Sequence, residues 1–160
     1  MHENNIGHGG YHEIELGNGN YAVKRPEVTE EMVSNAADKV AVTMIGNPAM
    51  AEQITKLWSW GMDGYELAKL LEEVGFEMNA LTVSLLDSVS YEVEKCHEEA
   101  CWAWVRENNI LPSLPPGTVT TKGTIAGIAL DMPAYYLVKE PGCQQSERFL
   151  LLPYEDAVAA

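Results

Sequence analysis

The sequence is short of bases. Ten lysines and arginines stand against 24 aspartates and glutamates, for a net charge of −14. Phosphate backbones are gripped through lysine and arginine, so direct nucleic-acid binding is not expected. Cysteine is scarce as well: Cys96, Cys101 and Cys143 are an odd set without a Cys-x-x-Cys pair. That argues against a disulfide framework and against a common structural zinc site. No apolar run approaches the roughly 18 residues of a membrane span. The opening "MHENNIGHGG" has neither the basic nor the apolar region of a signal peptide, so a cytoplasmic protein is expected. Catalytic signatures are missing too. "GNGN" is no phosphate loop, because neither a helix N-terminus nor a suitably spaced lysine follows it.

What is present suffices for a packed core, since 46% of the residues are hydrophobic. The acid is concentrated. Residues 47–110 hold twelve acids against four bases, a balance of −8 on 64 residues. Such a surface repels phosphate and attracts a basic protein surface. Solubility alone is the competing explanation.

Tyr11 to Arg25, "YHEIELGNGNYAVKR", carries a hairpin signal. Ile14 and Leu16 alternate with Glu13 and Glu15, "GNGN" tolerates positive φ, and Tyr21 and Val23 resume the alternation before Pro26. Thr29 reads as an N-cap with Glu30 and Glu31 in the first turn. A helix is predicted through "EEMVSNAADKVAVTMI", burying Met32, Ala36, Val40 and Met44. Gly46-Asn47-Pro48 breaks it, and Asn47 caps a second helix with Pro48 in first position. Asp63 caps a third over "GYELAKLLEEV", closed by Gly75. In the fourth, Met78, Leu81, Leu85, Val89, Val93, Cys96, Ala100 and Ala103 recur every three or four residues. It would span about 40 Å at ~1.5 Å per residue, and Pro112 forbids its continuation.

The residue types change at Ile110. Prolines in "LPSLPPG" make a stiff connector. Four strands are predicted beyond it, near Thr118–Thr121, Thr124–Leu130, Tyr135–Lys139 and Arg148–Leu152. The succession "GTV", "GTIAGI", "YYLVK" and "RFLLLPYED" resembles the small SH3-like barrels of the KOW and Tudor type. The longer string "GYELAKLLEE … ENNILPSLPPGT … GTIAGI … AYYLVKE … RFLLLPYEDA", over about residues 60–158, is similar to small proteins of bacteriophages and prophages. That resemblance implies a mobile-element source and a host-cell cytoplasm, and it transfers no site residue. Small acidic phage proteins include inhibitors of host defence, of the anti-CRISPR and antirestriction kinds. The expectation is therefore an α+β chain: residues 1–110 an N-terminal β-hairpin plus an acidic helical body of about four helices, 111–117 a connector, and 118–160 a small SH3-like β-barrel.

Residues 63–89 invite a helix-turn-helix reading, but Met78 to Ser90 contains no lysine or arginine with which to touch bases or phosphates. His97 and Cys101 share a helix face, and with Cys96 they are the best metal candidate. A further ligand would have to come from Cys143, His2, His8 or His12, and buried thiols are ordinary core filling. As a nucleophile–base pair they lack evident oxyanion donors, and Glu98 and Glu99 would raise the thiol pKa. We therefore expect no metal, no cofactor and no catalysis. Trp58/Trp60 and Trp102/Trp104 form two W-x-W pairs. On a helix such residues point about 200° apart, so one ring of each pair should lie in the core and one nearer the surface. Trp102 and Trp104, just before the connector, are expected to clamp the helical body to the barrel. The candidate binding residues are Glu72, Glu73, Glu92, Glu98 and Glu99 on the acidic face and Tyr135 and Tyr136 on the barrel. The function expected is non-enzymatic binding to a basic protein surface, with occupation of a nucleic-acid-binding surface and inhibition of a host defence complex as its sharpest form. The alternatives are a structural phage protein, or a small-ligand binder or enzyme with scattered site residues.

Overall fold

The structure, a computed structural model, describes residues 14–142 and 148–160. The chain divides into two compact units. One is Val23–Asn108; the other joins the described residues up to Ala22 with Asn109–Ala160. Among the described residues no helix is long and apolar enough to cross a membrane.

The helical unit starts where the capping residues say it should. Thr29 Oγ1 accepts the Met32 N–H at 3.3 Å and opens α1 (Glu30–Asp38). The helix predicted to continue to Ile45 changes winding at Lys39. Lys39–Ile45 is a π segment, closed by Gly46 with its N–H on Ala41 O. The buried face is Val33, Ala36 and Ala37 in α1 and Val40 and Ala41 in the π segment, whose wider turns leave Met44 exposed. Before α2 (Ala49–Leu57), Asn47 accepts the Met50 N–H through its backbone carbonyl, at 3.1 Å; no side chain caps this helix.

Asp63 and Glu66 form a reciprocal capping box on α3 (Gly64–Glu73), with bonds of 2.8 and 3.1 Å. The helix ends in a Schellman motif: Gly75 N–H on Glu72 O and Phe76 N–H on Leu71 O, both at 3.0 Å. Asn79 then caps α4 (Ala80–Glu107, 28 residues), accepting the Thr82 N–H at 2.9 Å. Ile54, Leu67, Leu71, Leu86, Val89 and Val93 meet in the core. The buried stripe of α4 is Thr82, Leu86, Val89, Val93, Cys101 and Trp104. The predicted stripe is out of phase at both ends. Leu81 is exposed, and Cys101, not Cys96, is the buried thiol.

α3 and α4 cross with backbone in contact. A Cβ on Gly64 would lie 2.5 Å from Val83 O and 2.6 Å from Asp87 N. Its absence lets the Gly64 N–H reach Asp87 Oδ1 at 2.6 Å.

The second unit holds an antiparallel sheet in the order β1 (Val119–Thr120), β2 (Gly123–Ile128), β3 (Tyr135–Lys139) and β4 (Leu150–Pro153). A register shift between Ile125 and Gly127 interrupts the β2–β3 ladder. The sheet is a four-stranded meander, and after a short 3-10 turn at Tyr154–Asp156 the chain returns to β1 through the Thr120–Ala159 bridge and the Ala160 N–H on Val119 O. The expected α+β composition is present, but the expected N-terminal hairpin is corrected: its described residues, 14–25, contain no strand. Their polar groups are met elsewhere. Gly17 N–H donates to Pro112 O at 2.8 Å and Tyr21 Oη to Leu111 O at 3.0 Å. "GNGN" closes on itself, with Asn20 N–H on Asn18 Oδ1. Tyr11 and the residues beside it, up to Glu13, lie outside the described residues.

All four tryptophans belong to the helical unit, so indole fluorescence reports its unfolding separately. Gly64→Ala is expected to destabilise that unit by about 1–3 kcal/mol, the usual cost of forcing an extra methyl into a filled site. Urea unfolding followed by tryptophan emission measures it. An unchanged midpoint would show that α3 can retreat from α4 freely.

Candidate protein-binding site

The site is built on the chain that leaves α2. Trp58 is extended, and its Nε1–H donates to Ser90 Oγ at 2.9 Å. The Ser90 hydroxyl in turn donates to Met62 O at 2.7 Å. One α4 side chain thus ties down both ends of the intervening turn. That turn is closed by the Met62 N–H on Ser59 O at 3.1 Å, with Gly61 at φ 82° in the third position, where a type II turn needs positive φ. Trp60 occupies the second position and is 60% exposed. Trp58 is partly buried against the core and Trp60 is exposed, but a turn and not a helix sets the two rings apart. On α4 the helical form applies. Trp104 is buried with Nε1–H on Val23 O at 3.0 Å, and Trp102 donates to Glu98 at 3.2 Å.

A second segment, before α1, is laid along α4. Trp104 holds Val23 O, and His97 Nε2 lies 2.9 Å from Pro26 O. Seven residues of helix rise about 10.5 Å, and three extended residues advance about 10 Å, so both contacts form without strain. Arg25 sits over the Trp104 ring, 4.9 Å from its centroid. A carbonyl only accepts, so His97 Nε2 carries a hydrogen. Cys101 Sγ is 3.6 Å from the same nitrogen and is 2% exposed. With Nε2 already protonated and bound, it cannot take the thiol proton, as a Cys–His nucleophile would require.

Between these segments lies an open groove of about 370 Å³ lined by Pro26, Glu27, Val28, Trp60 and His97. The Trp60 and His97 rings meet edge to face, 5.8 Å apart at 76°, and Trp60 meets Trp58 in the same way at 6.3 Å and 83°. These contacts fix an exposed indole in one orientation. Glu27, exposed, is the acidic residue among those that line it. Glu94, exposed, lies one helical turn from both Ser90 and His97.

The residues chosen from sequence fall into three groups. Glu72 and Glu73 on α3 and Glu98 and Glu99 on α4 are exposed. Glu92 is largely covered and pairs with Lys39 at 2.6 Å, so its charge is met within the fold. Tyr136 is fully buried. Its hydroxyl accepts the Ser113 and Leu114 N–H groups at 2.8 and 2.9 Å, and its ring leans on Tyr154. It is a core residue, and Tyr135 beside it is half-buried. The sequence reading missed Trp60 as a turn residue, and it missed Pro26, Glu27, Val28 and Glu94. The signal for Trp60 was Gly61 directly after it. Nothing local links Pro26 to His97, 71 residues away. Among the described residues no three His, Cys, Asp or Glu side chains are placed to share a metal ion. Cys143, His2, His8 and His12 lie outside them. Comparison with family models, curated proteins and solved structures finds no match to this chain.

The two described thiols differ in access. With Cys143 replaced by serine, a thiol reagent is expected to modify Cys96 in the native protein and Cys101 only as fast as the helical unit opens. Equal rates for both would put Cys101 at the surface.

Proposed function

We propose that the protein is a non-enzymatic binder whose helical unit presents its carboxylates to a basic surface of another protein. The observation that supports this is where the charge sits. The unit has sixteen acids against seven bases, and all the acids but Glu92 are exposed. Asp87, Tyr91, Glu94 and Glu98, at steps of four, three and four residues, form one exposed row on α4 without a base in it. Tyr91 brings aromatic area to the middle of that row, and aromatic residues are common interface anchors. In its sharpest form the partner is a nucleic-acid-binding complex whose phosphate-binding surface the carboxylates occupy. A phage-encoded inhibitor of a host defence complex, acting in the host cytoplasm, has that form.

Exposed charges act chiefly on association rate, over a Debye length of ~8 Å at physiological salt. Replacing Glu94, Glu98 and Glu99 together by lysine should weaken binding of a fluorescent arginine–glycine decapeptide about tenfold at low salt, and much less at high salt. Reversing Glu30, Glu31 and Asp38 on α1, a change of equal charge, should do less. Equal losses from the two triple variants would mean that only the net charge matters and that the α4 row is solvated surface.

A further inference from the structure

We propose that the corner made by Trp60, His97, Pro26, Glu27 and Val28 receives an arginine side chain of the basic partner. This rests on the acidic-surface reading and names the side chain which that surface takes. Three observations converge. First, Trp60 is held outward by the turn and by two edge-to-face ring contacts, yet remains 60% exposed, so its indole offers area to a visitor without rearranging. Second, the space is about 370 Å³, at the small end of ligand clefts, which suits one side chain better than an extended molecule. Third, the walls are Pro26, Val28 and the two rings, with two exposed acids beside them, Glu27 in the lining and Glu94 one turn before His97.

That combination selects a cation carried on an apolar stem. An arginine stem packs on proline and valine, its flat guanidinium stacks on indole, and its N–H groups point in plane toward a carboxylate. A neutral aromatic group would gain no attraction from Glu27 or Glu94. A carboxylate would meet repulsion from Glu27 and Glu94. Among the nearby bases, Arg25 is committed to Trp104.

The test uses the whole chain labelled with nitrogen-15 and two peptides, acetyl-Gly-Arg-Gly-Arg-Gly-amide and the same peptide with citrulline, the uncharged isostere, for arginine. The arginine peptide is expected to move the Trp60 indole N–H signal, identified by its loss in Trp60→Phe, and the backbone signals of Glu27, Val28 and His97. The citrulline peptide should move them far less. Trp60→Leu should weaken arginine-peptide binding about two- to fivefold, the size of an exposed cation–π contact. Glu27→Gln, an exposed change that leaves the fold alone, should weaken it as well, chiefly at low salt. Equal shifts with both peptides would overturn the proposal, because the groove would then select shape and not charge. Shifts confined to Glu94, Glu98 and their neighbours, unaffected by Trp60→Leu, would also overturn it while leaving the acidic surface standing. If neither peptide moved any signal, both readings would fall.

Discussion

The helical unit depends on one close approach, the contact of α3 with α4 at Gly64. With no side chain between them, the start of α3 rests on the α4 backbone, and Asp87 takes the Gly64 N–H. Successive turns of α4 then organise whatever lies beside them. Ser90 holds the turn that bears Trp60, His97 holds Pro26, and Trp104 holds Val23. Each of these bonds spans a large sequence separation, and each starts from a residue whose direction α4 has already set. A shift of α3 by the width of a methyl group would disturb the core that Leu67 and Leu71 share with α4 first, and the groove after it.

Legibility from sequence followed the range of the interaction. Thr29, Asp63 and Gly75 were readable because caps act within one turn, and the hydrogen bonds they predict are present. The four strands were readable because alternation and glycine-marked turns are local, and β3 keeps its predicted limits. The hairpin around "GNGN" was misread because alternation says that a strand is possible, not that it has a partner; Gly17 pairs with Pro112 instead. The phase of α4 was misread because counting apolar residues favours Leu81 and Cys96. Packing chose Thr82 and Cys101. Tyr136 could not be told from Tyr135 without knowing which face the connector covers.

The acidic character has a comparable division. Counted along the chain, Glu92 looks like any other acid of the long helix. In the fold it is bound to Lys39 and ties the start of the π segment to α4. Glu94, two residues on, points the other way and stands in an exposed row with Tyr91 and Glu98. A two-residue step on a helix therefore separates a charge that serves cohesion from one that faces outward. The balance of −14 is a sum over both kinds, and only the second kind is open to a partner.

The bond from His97 to Pro26 fixes which ring nitrogen carries a hydrogen: a carbonyl only accepts, so Nε2 is the donor. The Ser90 link is likewise made of an indole, a hydroxyl and a carbonyl. Both walls of the cleft are therefore held by hydrogen bonds and ring contacts and not by ion pairs, while salt screens the exposed carboxylates around them. Ionic strength can change what the groove attracts while the cleft keeps its contour.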